Sequence, residues 1–144
     1  MSLTVLEQLY NKASLQDIQV YRHDLPERMR GLYIENGDFK SITINNCVNT
    51  QAEEVDIMAE EIGHFIVGGG DLLLNNSVDY VNKRKYELKA KCQGYKLIIP
   101  PAELYEFLLD EVPVWEIAEY YECTESFVIE AIECYKRKGL LPSY

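Results

Sequence analysis

The sequence is short of positive charge, with 14 Lys and Arg residues against 24 Asp and Glu residues and a formal net charge of −10. Because nucleic acids attract proteins through Lys and Arg, this deficit argues against nucleic-acid binding and favours a basic or neutral protein partner. A long apolar run is also missing, since no uninterrupted stretch approaches the roughly 20 residues that a membrane span requires. We therefore expect a soluble protein without a membrane segment.

Paired cysteines are missing as well. Cys47, Cys92, Cys123 and Cys134 form no C-x-x-C motif, and the first residues lack the basic-then-apolar pattern of an exported chain. We therefore expect reduced thiols in a cytoplasmic protein. The chain of 144 residues, 47% of them hydrophobic, has the size of one domain and can bury a core without disulfides or metal.

The apolar spacing predicts mostly helices and one small sheet. Helical spacing covers the first dozen residues, and β-rich runs on either side of Asn36-Gly37 indicate two short antiparallel strands. A long helix is expected from the N-cap Thr50 to about Val67, where three glycines end it. Further helices are expected at Val81–Gln93, from Pro101 onward, at Val114–Tyr121 and, after the N-cap Thr124, at Glu125–Lys138.

Residues 60–64 carry the most informative motif, Glu-Glu-Ile-Gly-His, inside the predicted long helix. This is the layout of the zinc-peptidase motif H-E-x-x-H with glutamate in place of the first histidine. Such a helix presents two metal ligands four residues apart, with a glutamate beside them that accepts a proton from water. On the motif alone, a solvated acidic helix face is the better interpretation, since Glu53, Glu54 and Asp56 extend the same polar surface.

A longer series of ordered matches resembles the ImmA/IrrE family of metallo-endopeptidases. Members encoded by prophages and mobile elements often read A-E-E-L-G-H at the motif. The matching segments here are Leu25-Pro26, Gly31-Leu32-Tyr33, Ala59 to His64, Glu87-Leu88-Lys89-Ala90, Leu97 to Pro100, and Glu116 to Tyr120 leading to Thr124-Glu125. Because the matches run in order from about residue 25 to residue 138, they are much more specific than the five-residue motif.

The resemblance implies an α+β fold, a mainly helical zincin-like structure with a small antiparallel β-hairpin or sheet. Residues 1–112 would form the peptidase-type domain, and residues 113–144 a helix-turn-helix-like pair packed on it. The resemblance further implies that His64 and Glu87 bind a metal ion and that Glu61 activates water. Ala90 follows in E-x-x-A and leaves space for close helix packing. The alternative for Glu87 is an ordinary surface glutamate among lysines.

Glu60 occupies the position of the first ligand histidine and is the third candidate ligand. A site made of Glu60, His64 and Glu87 offers one nitrogen and two oxygen donors, so it is harder than a typical zinc site. Zinc is the expected metal, manganese or another divalent ion is an alternative, and the absence of any metal is a third outcome. The sequence leaves two alternatives for Asp71, which either approaches the metal or only ends the loop. It does not single out a tyrosine for stabilising an oxyanion.

The resemblance also implies the function, which is cleavage of a helix-turn-helix repressor to release the genes of a phage or mobile element. The alternative is a catalytically inactive relative that binds and regulates such a repressor without cutting it. A third and weaker hypothesis is DNA binding by the C-terminal helical pair. That pair carries more glutamates than basic residues, which favours packing or protein docking over DNA contact.

Overall fold

The structure, a computed structural model, describes residues 2–68 and 80–142, so Asp71 lies outside the described residues. Within these ranges the elements are α1 (Val5–Leu15), β1 (Ile18–His23), β2 (Gly31–Asn36), β3 (Phe39–Asn45), α2 (Gln51–Val67), α3 (Tyr80–Ile98), α4 (Pro101–Leu109), α5 (Val114–Tyr121) and α6 (Glu125–Arg137). The predicted mainly helical α+β class is confirmed. In this described part of the chain, no helix is both long and apolar enough to cross a membrane.

The sheet has three strands in the order β1-β3-β2. The predicted antiparallel pair is present, because β2 and β3 form a hairpin in which Asn36 pairs with Phe39. Strand β1 was not predicted; it pairs in parallel with β3 and makes the sheet mixed. Its sequence signal is weak, because Ile18 is the only buried residue of the strand.

The core lies between the sheet, α1 and α2, and continues into the C-terminal helices. Ile42 and Ile44 of the central strand are fully buried and belong to the same hydrophobic cluster as Val55 and Met58 of α2. That cluster extends from Leu9 to Leu141, so residues of both predicted segments, 1–112 and 113–144, contribute to it. The division into a domain and a helical tail stays a prediction.

Two predicted N-caps position the helices that matter for the site. The Thr50 hydroxyl accepts a hydrogen bond from the Glu53 N–H at 3.2 Å and begins α2. The Thr124 hydroxyl accepts from the Phe127 N–H at 3.1 Å and begins α6. Each cap satisfies one of the backbone donors that the first turn of a helix leaves without an intrahelical partner. Gly68 ends α2 with a φ of 79°, as the glycine run predicted.

The cysteines differ from the expectation of four reduced thiols. Cys92 of α3 and Cys134 of α6 form a disulfide, whereas Cys47 and Cys123 are free. The expectation was wrong for the bonded pair because it relied on cysteines that are neighbours in sequence, and these two meet only through the packing of α3 against α6. The disulfide therefore links two helices that both take part in the site described next.

Candidate active site

Close packing of α2 against α3 places the candidate residues side by side. A Cβ atom on Gly63 would lie 2.1 Å from the carbonyl oxygen of Ala90, and one on Gly94 would lie 2.9 Å from that of Ala59. Only glycine permits such an approach of one helix backbone to another. The small residue Ala90 thus provides the space that the E-x-x-A pattern suggested, and the side chain of Glu87, one turn earlier in α3, reaches α2.

Three of the four predicted site residues form one cluster, and the fourth, Glu87, contacts His64. Ligand atoms of Glu60, Glu61 and His64 lie within 4.8 Å of one another. His64 Nε2 lies 3.4 Å from Glu87 Oε2. Glu61 and His64 are only 6% and 3% exposed, so a solvated acidic face is the wrong interpretation for these two residues. Glu87 keeps 36% of its side chain exposed and lies at the edge of the cluster.

Glu61 is a buried carboxyl group held beneath the edge strand β2. The backbone N–H of Tyr33 donates to its carboxylate, and a Cβ on Gly31 would lie 3.1 Å from Glu61 Oε2 and 2.5 Å from Ile57 Cγ2. Burial raises the pKa of Glu61 to about 8, and the neighbouring carboxylates act in the same direction, while His64 and the Tyr33 N–H oppose them. Burial is therefore the main influence on the pKa of Glu61, and it disfavours the charged form.

His64 is the buried imidazole of the cluster. Burial lowers the pKa of His64, but the Glu87 hydrogen bond and the surrounding carboxylates outweigh it, so the net shift is upward. The ring of Tyr86 packs against the imidazole with 5.2 Å between ring centroids. The sequence did not single out Tyr86, although its position next to Glu87 was the signal that could have found it. Tyr86 and Glu87 together hold His64 in one orientation.

The donor set fits a divalent metal ion. Within the described ranges, His64 Nδ1 is buried and has no hydrogen-bond partner. Buried polar atoms are nearly always hydrogen-bonded, so an unpartnered nitrogen on an imidazole that lies among carboxylates is suited to a ligand role. Burial also raises the pKa of Glu60, and the negative charge of Glu87 raises it further. A bound cation would relieve the repulsion between these two carboxylates. Glu60 and His64 are therefore chemically able to hold an ion, and Glu87, which lies beside Nε2 and not beside Nδ1, can share that ion only if it binds Nε2.

A cleft of about 750 Å³ opens from Glu60, Glu61 and Gly31 toward α6. Its far wall comes from the C-terminal helical pair through Thr124, Ser126, Phe127 and Glu130. The sequence did not reveal this wall, because it depends on how α6 packs against the rest of the chain. Asp56 also lines the cleft, and its position one helical turn before Glu60 was a signal that could have placed it there.

Asp56 connects α2 to the start of α6. The Thr124 N–H donates to Asp56 Oδ1 at 3.2 Å, and the Thr124 hydroxyl donates to Asp56 Oδ2 at 2.5 Å. Burial raises the pKa of Asp56 to about 6, the Thr124 hydrogen bonds oppose this, and the charges of Glu130 and Glu53 add to the rise. A carboxylate at a helix N-terminus is also favoured by the helix dipole. This contact keeps α6 at the far side of the cleft.

Comparison with known proteins agrees with the geometry. Residues 13–133 match the model of the IrrE N-terminal-like domain, a peptidase family. No curated protein and no solved structure gave a significant match to the chain. The family match covers most of the 144 residues, including α2, α3 and the cleft wall on α6. The chain therefore belongs to the family of the IrrE N-terminal-like domain, a family of metallopeptidase type, as its resemblance to the ImmA/IrrE proteins predicted.

Proposed function

We propose that this protein is a metal-dependent endopeptidase that cuts a helix-turn-helix repressor of a phage or mobile element. The observation that carries the proposal is the meeting of Glu60, Glu61 and the buried His64, because the two glutamates of this cluster also line an open cleft. Peptide hydrolysis needs metal donors, a proton acceptor and space for an extended chain in one place. The cluster and its cleft combine these three properties.

Glu60, His64 and Glu87 are the residues that would hold the ion. Zinc is the first candidate, and manganese or another divalent ion suits the two carboxylates. When bound, the ion would polarise a peptide carbonyl and increase the acidity of water. Elemental analysis of protein purified without chelators tests this assignment. Glu60→His adds a second nitrogen donor, so zinc should bind more tightly to that variant than to the native protein.

Glu61 is the residue that would move the proton. A general base works best when its pKa lies near the working pH, and burial brings the pKa of Glu61 to about 8. Its carboxylate can accept a proton from water and pass it to the leaving amine of the cut peptide. The N–H of Tyr33 and the space left by Gly31 keep this carboxylate in one position beneath β2.

The proposed partner is basic. A chain with a net charge of −10 attracts a positively charged surface and repels nucleic acid, and a DNA-binding repressor presents such a surface. The cleft contributes to this attraction through Asp56 and Glu130. A repressor acts in the cytoplasm, and we place the peptidase there for the same reason. Cytoplasmic thiols are kept reduced, so this placement requires that the burial of Cys92 and Cys134 protects their disulfide from reductants.

The test is a cleavage assay with candidate repressors in the presence of added zinc or manganese. Glu61→Gln removes the proton acceptor and should lower the cleavage rate by about 100- to 10,000-fold. Glu116→Gln, an exposed change on α5, is the matched control and should leave the rate unchanged. If the native protein and Glu61→Gln show the same activity, the enzymatic proposal is wrong.

One observation favours a second function, the binding and regulation of a repressor without cleavage. With Glu60 in place of the usual histidine, His64 is the only nitrogen donor of the candidate set. A weakened metal site would leave a protein that still recognises its partner through the cleft. This function requires stoichiometric, metal-independent binding that survives Glu61→Gln, and catalytic turnover would exclude it.

A further inference from the structure

One part of the cleft combines aromatic and acidic side chains from three helices. Asp56 comes from α2, Tyr95 from α3, and Phe127 and Glu130 from α6, and all four line the same cleft. We call these four residues the aromatic-acidic subsite. None of them belongs to the candidate metal ligands, and the proton transfer proposed above does not use them.

The floor of the subsite is aromatic. The rings of Tyr95 and Phe127 meet edge to face with 5.0 Å between their centroids, and both residues are largely buried. The Tyr95 hydroxyl donates to Glu130 Oε2 at 3.2 Å, which fixes the carboxylate next to the rings. Because Tyr95 and Phe127 are only 6% and 5% exposed, just the edges of the two rings reach the cleft. An apolar edge beside a carboxylate suits the last carbon atoms and the cationic end of a long basic side chain.

The rim of the subsite carries the carboxylates of Asp56 and Glu130. One basic residue lies nearby, because burial and Glu130 raise the pKa of Tyr95 while Arg137 of α6 opposes them. The basic residues that line the same cleft lie mostly beside other carboxylates, because Arg30 forms an ion pair with Glu53 and Lys91 lowers the pKa of Glu60. Arg28 is exposed at the opening of the cleft. Asp56 and Glu130 repel each other, as the contribution of Glu130 to the raised pKa of Asp56 indicates. A cation placed between them would remove this repulsion.

The distance from the subsite to the metal cluster suits a neighbouring substrate residue. Asp56 precedes Glu60 by one turn of α2, which is a rise of about 6 Å along the helix. An extended peptide covers that distance with about two residues. A chain whose cut bond lies at the cluster would therefore place a nearby side chain in the subsite.

We propose that the aromatic-acidic subsite binds an arginine or lysine side chain of the substrate, within about two residues of the cut bond. The inference rests on the proposed endopeptidase function for the position of the cut, but the affinity of the subsite for a basic side chain is independent of cleavage. The end of the side-chain stem meets the exposed edges of Tyr95 and Phe127, and its cationic group lies between Asp56 and Glu130. The subsite thus selects basic segments, which are abundant in DNA-binding proteins.

A binding experiment tests the subsite without any cleavage. The probe is N-acetyl-arginine methylamide, and its neutral isostere N-acetyl-citrulline methylamide is the control ligand, each titrated into ¹⁵N-labelled native protein. We expect the arginine probe to shift the amide signals of Ser126 and Phe127 and to bind about five- to tenfold more tightly than the citrulline probe. Equal affinities for the two probes would overturn the proposal.

Two variants on the same helix sharpen this experiment. Glu130→Gln retains an acceptor for the Tyr95 hydroxyl but removes the charge, so the preference for the arginine probe should fall to about twofold or less. Glu133→Gln removes an exposed glutamate of α6 that does not line the cleft, and the preference should persist. An equal loss of preference in both variants would mean that general surface charge, and not the subsite, attracts the probe.

A cleavage experiment then tests the position of the subsite relative to the cut bond. Metal-loaded protein is incubated with a mixed peptide library, and the new N-termini are identified by mass spectrometry. Arginine and lysine should be enriched within about two residues of the cut sites, and Glu130→Lys should abolish the enrichment. Cut sites without basic enrichment would overturn the specificity role. If no peptide is cut while the arginine probe binds selectively, the endopeptidase proposal fails and the basic subsite remains.

Discussion

Helix α2 contacts α3 and α6 in opposite ways. Against α3 it packs backbone to backbone, with Gly63 against Ala90, and leaves no space for another atom. Against α6 it makes a polar contact, from Asp56 to Thr124, beside an open cleft. The close contact fixes the position of His64 relative to Glu87, and the open contact leaves room for an extended chain. One helix thus provides rigidity on one side and access on the other.

The largest expected effect comes from breaking the Cys92–Cys134 disulfide, which joins the two neighbours of α2 to each other. The bonded cysteines are 42 residues apart, and a loop of this length stabilises the folded state by about 4 kcal/mol in the chain-entropy model. Adding a thiol reductant to the native protein should lower the free energy of unfolding, measured in urea, by about that amount. Cys47→Ser replaces an exposed free cysteine and should leave the free energy of unfolding unchanged. Superimposed urea curves with and without reductant would contradict this prediction.

A smaller but more specific effect is expected when the close contact is crowded. Replacing an exposed glycine within a helix by alanine usually stabilises a protein by about 1 kcal/mol. Gly63→Ala should instead lose about 1–3 kcal/mol, because the new Cβ meets the backbone of α3. The same change should separate His64 from Glu87 and weaken metal binding. Gln51→Ala, an exposed change in the same helix, is the control, and a Gly63→Ala protein as stable as the native one would disprove the close contact.

The polar contact between Asp56 and Thr124 predicts that the stability of the protein depends on pH. The pKa of Asp56 is about 6 in the folded protein against 3.8 for the unperturbed group, so between roughly pH 4 and pH 6 the folded state holds a proton that the unfolded state has lost. The stabilisation is complete below about pH 4 and is lost as the pH rises through 6. We expect roughly 1–2 kcal/mol over this window, allowing for partial exposure of the group.

Asp56→Asn isolates this contribution from the other carboxylates. The asparagine can still contact Thr124 but does not titrate, so the difference in unfolding free energy between native and variant protein should change steadily from pH 4 to pH 6. This difference is measured by urea unfolding of both proteins at three pH values between about pH 4 and pH 6. A difference that stays constant would show that the pKa of Asp56 is not raised in the folded state.

The smallest effect compares two threonine caps. Thr50 caps α2 through one hydrogen bond, whereas Thr124 caps α6 and also donates to Asp56. Thr50→Ala should cost about 1 kcal/mol, and Thr124→Ala about 0.5 kcal/mol more, because Asp56 loses a donor in a partly buried position. Thr124→Ser retains both hydrogen bonds and should restore most of the loss. Equal losses for the two alanine variants would mean that the contact with Asp56 adds nothing to the cap.

Local sequence signals predicted those parts of the fold that local interactions determine. Thr50 and Thr124 begin α2 and α6 as predicted, and Gly68 ends α2. The Asn36-Gly37 pair correctly indicated the β2–β3 hairpin. The neighbourhood of His64 and Glu87 followed from the family resemblance and not from spacing, because the two residues lie on different helices. The roles assigned to the site residues stay predictions.

Features that depend on contacts between distant segments were not predictable from this one sequence. Strand β1 has one buried residue, so its pairing with β3 leaves almost no apolar pattern. The partner of Cys92 is determined by where α6 packs on α3. The same packing places Phe127 and Glu130 in the cleft wall. The sequence of α6 predicts an acidic helix, but it does not predict which other helix α6 faces.

The disulfide between α3 and α6 has a further consequence for damaged molecules. Helices α4 and α5 lie within the covalent loop that Cys92 and Cys134 close. A proteolytic nick anywhere in that loop would leave two fragments still tied together, and they would migrate as one species until a reducing agent is added. The cleft could therefore keep both of its walls after the polypeptide backbone has been severed.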